Sequence, residues 1–254
     1  MERWSLKNKY TLITGGSKGI GLGIAKEFLD LGAYVAIAAR NEAELKAVKT
    51  KYSGYGDHLE IFKADVSKLS DLNDLVNFIR EKWNLLDILV NNVGTNIRKP
   101  VTEFTGEEYN HIISTNLRSV YELSRLSFSL LKQSKQGNII NISSVAGLSH
   151  LKTGALYGMT KAAIIQFTKN LAVEWAEYGI RVNAIAPWYI NTPLAKQVLK
   201  NPDYKNEVLS RTPLGKVGDI EDVAGAAAFL CRPAAAYITG QCLAVDGGFT
   251  INGF

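Results

Sequence analysis

Seven short, nearly continuous apolar runs recur along the chain, with longer helical patterns between them. The runs are YTLIT (10–14), YVAIAA (34–39), LEIFKA (59–64), DILVNN (87–92), GNIINIS (137–143), RVNAIAP (181–187) and CLAVDG (242–247). After the first, Ile24, Phe28 and Leu31 keep helical spacing. After the third, Leu72, Leu75, Val76, Ile79 and Trp83 do the same. Strands that are apolar on both faces belong to a sheet covered on both sides. Strands alternating with helices imply right-handed crossovers and parallel pairing. The expected fold is α/β: a doubly wound parallel sheet of about seven strands.

The 254 residues suit one such unit, and no repeat or long Pro/Gly/Ser linker divides residues 1–254. At 46% hydrophobic and 21% charged, the chain has the make-up of a packed globular domain rather than a disordered one. Lys and Arg number 29 against 24 Asp and Glu, a net charge of +5. The basic residues are scattered, so no nucleic-acid partner is expected. The two cysteines, Cys231 and Cys242, have no metal-ligand spacing. Free thiols in a reducing compartment and no metal site are the simple reading. No run of about 18 apolar residues offers a membrane span, and the start of the chain lacks an apolar stretch of signal length. A cytoplasmic location is expected.

The first strand leads into TLITGGSKGIG, with Gly15, Gly19 and Gly21 spaced G-x3-G-x-G. Glycines allow a tight turn and let a phosphate approach bare backbone at a helix N-terminus. The second strand ends at Ala39 followed by Arg40, with no carboxylate until Glu42. Enzymes that take NAD usually carry an acid there for the ribose 2′-OH, whereas Arg pairs with a 2′-phosphate. Arg40, helped by Lys18, therefore favours NADP(H) over NAD(H), unless Arg40 only opens the next helix. Asp65, ending the third strand, can accept from an adenine amino group or cap a helix. In NNVG (91–94), Asn side chains can tie neighbouring loops together, and Gly94 leaves room for a cofactor.

ALYGMTKAA (155–163) sets Tyr157 and Lys161 four residues apart on one helix face. A nearby ammonium favours phenolate, lowering a phenol pKa toward the range of useful proton exchange. Lys161 is also long enough to bond a nicotinamide ribose. Tyr157 can then give a proton to a carbonyl oxygen or take one from an alcohol. Ser144, after the fifth strand, can polarise that carbonyl. Asn116, within a helical pattern, can bind a water linking Lys161 to solvent, or be a helix polar residue only.

TGGSKGIG, NNVG, the Asn of STNLRSVY, ISSVAG, YGMTK, RVNAIAP and DGGF together resemble, in order and spacing, the short-chain dehydrogenase/reductase family. The ending AAAYITGQCLAVDGGFTINGF and NNVGTNIRKP are similar to its tropinone reductase branch. The resemblance implies a single Rossmann-type domain, commonly a homotetramer, with Asn116, Ser144, Tyr157 and Lys161 as the catalytic set. Ser144 is chosen over Ser143 by its spacing of thirteen from the tyrosine. It also implies cofactor contacts at Gly15, Ser17, Lys18, Gly19, Ile20, Gly21, Arg40, Asp65, Val66, Asn92, Gly94, Tyr157, Lys161, Pro187, Ile190 and Thr192. Two positions depart from the family pattern: Val93 where N-N-A-G has Ala, and Trp188 where P-G has Gly.

Residues 188–215 follow the sixth strand irregularly and carry three of the six prolines. A long excursion there is a candidate lid. Arg98, His150, Leu151, Trp188, Tyr189 and Leu194, with Ser144, are candidate substrate contacts. The main expectation is an NADP(H)-dependent oxidoreductase acting on a small carbonyl compound or secondary alcohol, with Tyr157 as proton donor, in a homotetramer or homodimer. The alternatives are a 3-oxoacyl-carrier-protein reductase and a non-catalytic nucleotide-binding scaffold or redox sensor.

Overall fold

The computed structural model describes residues 2–152 and 154–253. Seven strands form one parallel sheet: β1 (Tyr10–Thr14), β2 (Tyr34–Ala39), β3 (Leu59–Lys63), β4 (Ile88–Asn91), β5 (Asn138–Ile142), β6 (Arg181–Pro187) and β7 (Cys242–Val245). Their spatial order is β3-β2-β1-β4-β5-β6-β7. The order reverses between β1 and β4, and the crevice beyond the carboxyl ends of such strands is where ligands bind.

Helices α1 (Gly19–Asp30), α2 (Glu42–Lys51) and α9 (Ile220–Cys231) accompany α3 (Leu69–Trp83), α5 (Ser119–Ser134) and α6 (Ala155–Glu174) around the sheet. Shorter pieces are α4 (Gly106–Ile113), α7 (Pro193–Val198) and α8 (Pro202–Ser210). One apolar cluster joins Ile13, Phe28, Ile37 and Ile185 with α9 residues. The other joins Leu12, Leu75, Leu89, Leu131 and Val182. Burial on both faces explains why β5 is buried at all five positions.

Asp87 lies just before β4, where its backbone still pairs with the Tyr10 carbonyl and Asn138 N while its carboxylate accepts from Lys9 Nζ at 3.1 Å, Tyr10 N at 2.9 Å and Ser134 Oγ at 2.6 Å. Asn92 also falls outside, with its backbone N–H donating to Thr14 Oγ1 at 3.0 Å. Residues 188–215 are less irregular than expected. They hold α7 and α8, each started by a proline in its first turn and capped by Thr192 and Asn201.

A buried polar row crosses the apolar interior. Asn91 Nδ2 donates to Ser124 Oγ (3.2 Å) and to Asn141 Oδ1 (2.9 Å), and Asn141 Nδ2 donates to Thr168 Oγ1 (2.9 Å). It links α5, β4, β5 and α6. Two further contacts seat α6 on the loop after β5. Ser143 Oγ donates to the Lys161 carbonyl at 2.8 Å, and a Cβ on Gly147 would lie 2.6 Å from the Lys161 carbonyl carbon. At the start of α6, Gly154 has φ +106°, a region that favours glycine. No helix is long and apolar enough to cross a membrane among the described residues.

Candidate active site

One cavity of about 460 Å³ opens beyond the carboxyl ends of the strands. Its nucleotide end is built from the β1–α1 turn. Gly15 (φ +68°) and Gly19 (φ +57°) take conformations that glycine adopts without strain. Gly15, Ser17, Lys18, Gly19 and Ile20 line the wall. Gly21 does not: a Cβ there would lie 2.4 Å from the Gly15 carbonyl oxygen, so it lets the turn pack on α1. α1, like α3 and α6, has no side-chain cap, and its first turn borders the cavity at Gly19 and Ile20.

Arg40, Asp65 and Val66 line the same end, as do Asn92, Gly94, Pro187, Ile190 and Thr192. Asp65 Oδ1 accepts from Ser67 N (3.0 Å) and Ser67 Oγ (2.8 Å). Asn92 Nδ2 donates to the Thr14 carbonyl at 2.9 Å, tying β4 to β1. A carboxylate that the sequence reading passed over also stands here. Asn41 caps α2 by accepting from Glu44 N at 3.2 Å. The Glu44 side chain then accepts from Ser17 Oγ at 2.9 Å and Lys18 Nζ at 3.0 Å. These bonds, that from Lys18 first, hold the Glu44 carboxyl below its ordinary pKa. Lys18 is thus an ion-paired cation in the nucleotide-free protein, not a free one.

At the other end, Ser144, Tyr157 and Lys161 reach one space from β5 and α6. Ser144 and Tyr157 line the same wall, where the Ser144 hydroxyl acts to lower the phenol pKa, and Ser144 Oγ accepts from Ala146 N at 3.1 Å. Lys161 is only 2% exposed, with Nζ donating to the Ile142 carbonyl at 2.8 Å. Burial lowers its pKa to about 8. Lys161 Nζ lies 5.6 Å from the Tyr157 ring centroid. The phenol differs from expectation: burial raises its pKa, opposed by the Ser144 hydroxyl and the Arg98 charge. Withdrawal from water outweighs the opposing Ser144 and Arg98 contributions.

Asn116 also departs from its expected setting. It lies in a π-helical turn, Ser114–Arg118, between α4 and α5. Fully buried behind the cavity wall, it accepts from Thr95 N (2.8 Å) and donates to the Thr95 carbonyl (2.8 Å) and Thr160 Oγ1 (3.2 Å). Its amide therefore clamps the β4 loop to α6. Gly94 brings that loop close, since a Cβ there would sit 3.2 Å from Lys161 Nζ.

Arg98, Leu151, Trp188, Tyr189 and Leu194 line the cavity. His150 is exposed and is not among the lining residues, because the loop turns Leu151 inward instead. Trp188 faces two ways. It borders the cavity, stacks on Phe249 with centroids 3.9 Å apart, and donates from Nε1 to Thr212 Oγ1 at 3.0 Å. No cluster of His, Cys, Asp or Glu suited to a metal ion occurs among the described residues.

A family model described as enoyl-(acyl carrier protein) reductase matches residues 15–250. The chain belongs to the short-chain dehydrogenase/reductase family. It is thereby placed among oxidoreductases. A tropinone reductase homolog of Arabidopsis thaliana is 47% identical over 254 residues, covering 100% of this chain and 96% of the relative. A gluconate 5-dehydrogenase from Burkholderia cenocepacia, solved in complex with NADP and tartrate, superposes with a TM-score of 0.93 at 31% identity, covering 98% of each chain. A 7α-hydroxysteroid dehydrogenase solved with NADH and 7-oxoglycochenodeoxycholic acid superposes with a TM-score of 0.93 at 32% identity, covering 97% of this chain and 96% of that one. One fold thus holds NADP in one neighbour and NADH in the other.

In this short-chain dehydrogenase/reductase, sequence reasoning missed Glu44, Thr95, Thr160 and Gly147. Glu44 carried a faint signal, an acid at the third position after a capping Asn. Thr95, Thr160 and Gly147 act through contacts with distant segments, which no local pattern announces.

Proposed function

We propose that the protein is an NADP(H)-dependent oxidoreductase that interconverts a carbonyl compound and its secondary alcohol, with Tyr157 giving and taking the proton. The observation that carries this reading is the convergence of Ser144, Tyr157 and the buried Lys161 on one cavity. The nucleotide fits the residues present. Positive-φ glycines expose backbone, the α1 N-terminus lacks a side-chain cap, and Arg40 and Lys18 supply positive charge. Arg40 is the ground for preferring the 2′-phosphate, and the gluconate 5-dehydrogenase solved with NADP supports it. When bound, the nicotinamide nucleotide supplies or accepts the hydride.

The chain's own residues do the rest. Ser144 would hold the substrate oxygen and orient it toward Tyr157. The raised phenol pKa keeps Tyr157 protonated at neutral pH, the form that carbonyl reduction needs. The Ser144 hydroxyl and the Arg98 charge favour the phenolate needed in the opposite direction. Lys161, held by the Ile142 carbonyl, would bind the nicotinamide ribose. Asn116 would act as a positioning residue through Thr95. Residues 188–215 would serve as a lid, since Trp188, Tyr189 and, on α7, Pro193, Leu194 and Ala195 border the cavity. A homotetramer or homodimer is the proposed assembly, to be measured by light scattering.

The deciding experiment is a panel of carbonyls and alcohols followed by NADPH absorbance, repeated with Tyr157→Phe. Turnover should fall by about 10²–10⁴-fold with nucleotide binding retained. Unchanged turnover would remove Tyr157 from the proposal. Wild-type inactivity across the panel, with tight NADPH binding, would favour a nucleotide-binding scaffold.

A further inference from the structure

The substrate end of the cavity carries a second cation besides Lys161, the Arg98 guanidinium. Arg98, on the loop after β4, lines the cavity beside Tyr157, Tyr189 and Leu151. Its guanidinium shares that wall with Tyr189, and its charge acts to lower the pKa of both the Tyr189 and the Tyr157 phenols. Tyr189 is itself held, with its hydroxyl 2.5 Å from that of Tyr204 on α8. Tyr204 and Tyr189 therefore lead from the proposed lid to the cavity wall that Arg98 shares.

Neighbouring cations are already paired. Lys99 Nζ lies 2.5 Å from Glu108, and Lys152 Nζ lies 2.6 Å from Glu207. Among the described residues, Arg98 has no carboxylate partner. The two acids that line the cavity, Glu44 and Asp65, stand at its nucleotide end and are bonded there. The substrate end is thus positive, with Arg98 at the mouth and Lys161 at the floor.

We propose that the substrate bears a carboxylate that pairs with Arg98, making this an enzyme of oxo acids or hydroxy acids rather than of neutral or cationic ketones. The inference rests on the reading of Tyr157 as proton donor to a carbonyl in the same cavity. A guanidinium fork matches a carboxylate in plane and charge. A phosphate dianion would want more donors than one Arg and one Tyr hydroxyl against walls of Leu151, Trp188 and Leu194. A cationic amine would meet like charge at the mouth. The carboxylate takes no part in the redox step; it fixes which carbonyl lies beside Tyr157 and Ser144.

The test uses pyruvate, acetoacetate and levulinate, each against its methyl ester, so that the oxo group stands at three distances from the charge. Two quantities are read: kcat/KM with NADPH, and calorimetric affinity for the NADP-bound protein. For at least one pair the acid should exceed its ester by about tenfold or more, and Arg98→Met should bring that ratio toward one. Arg98→Lys should restore part of it. Equal affinities for acids and esters in the wild type, or an acid preference that survives in Arg98→Met, would overturn the proposal. Acid-selective binding lost in Arg98→Met but without turnover would uphold the carboxylate site and count against the reductase reading instead.

Discussion

The Asn116 side chain brackets the Thr95 peptide, taking its N–H and meeting its carbonyl at 2.8 Å each. An amide used this way acts as one extra rung of sheet, fastening the β4 loop against α6. Asn116→Ala would leave a buried N–H and C=O unpaired and open a small void. Unfolding free energy should fall by about 2–4 kcal/mol in urea titration. kcat should drop more than nucleotide affinity does, because the loop sets the Lys161 side of the site. A variant with wild-type stability and kcat would remove the clamp role.

Lys161 makes stability depend on pH with a definite sign. Its folded pKa, about 8, lies below its ordinary 10.5. Between those values the unfolded chain binds more protons than the folded one, so this group's destabilising share shrinks as pH rises. Lys161→Met should therefore be more stable than wild type at pH 7, by on the order of 3 kcal/mol. That advantage should close as pH climbs from about 8 to 10.5. Paired thermal melts of the nucleotide-free proteins test it, and an advantage that ignores pH would contradict the assignment. Activity should be lost in the same variant.

Glu44 competes for the cation and hydroxyl that a 2′-phosphate would want. Glu44→Gln should free Lys18 and Ser17 and tighten NADPH binding by about threefold or more, with less effect on NADH. Arg40→Asp should weaken NADPH by about tenfold or more and flatten the preference. Fluorescence titration with both nucleotides reads both effects. Equal wild-type affinities would defeat the argument from Arg40.

Trp188 is where this chain departs from the usual glycine, and its indole is anchored by Phe249 and Thr212. Trp188→Gly should cost about 2–3 kcal/mol of stability, less than a full core truncation because the ring is half-buried. It should also admit bulkier carbonyl compounds, read as a fall in their KM relative to small ones. If bulky and small substrates respond alike, Trp188 is packing only.

The sheet was legible because parallel strands covered on both faces must be apolar throughout, and β1, β2 and β6 match their sequence runs at both ends. The candidate site was legible where its residues share one short element, as Tyr157 and Lys161 do on α6, both facing the cavity. What escaped depends on three-dimensional closeness. The π-helical turn at Asn116 adds a residue with no marker of its own. The phenol pKa follows from burial, which spacing does not reveal. Glu44 acquires meaning only once α2 brings its first turn against the glycine loop. His150 and Leu151 are neighbours in sequence, yet the path of their loop turns only Leu151 to the cavity.

The Asn91–Asn141–Thr168 row has a consequence for how this enzyme can change. Greasy contacts between helix and sheet are nearly indifferent to a small rotation, whereas directional bonds are not. The row keys α6 to β5 like a spline in a shaft, and so fixes the angle at which Tyr157 meets Ser144. The mouth of the cleft can then be rebuilt residue by residue for new molecules while the proposed reacting pair stays in alignment.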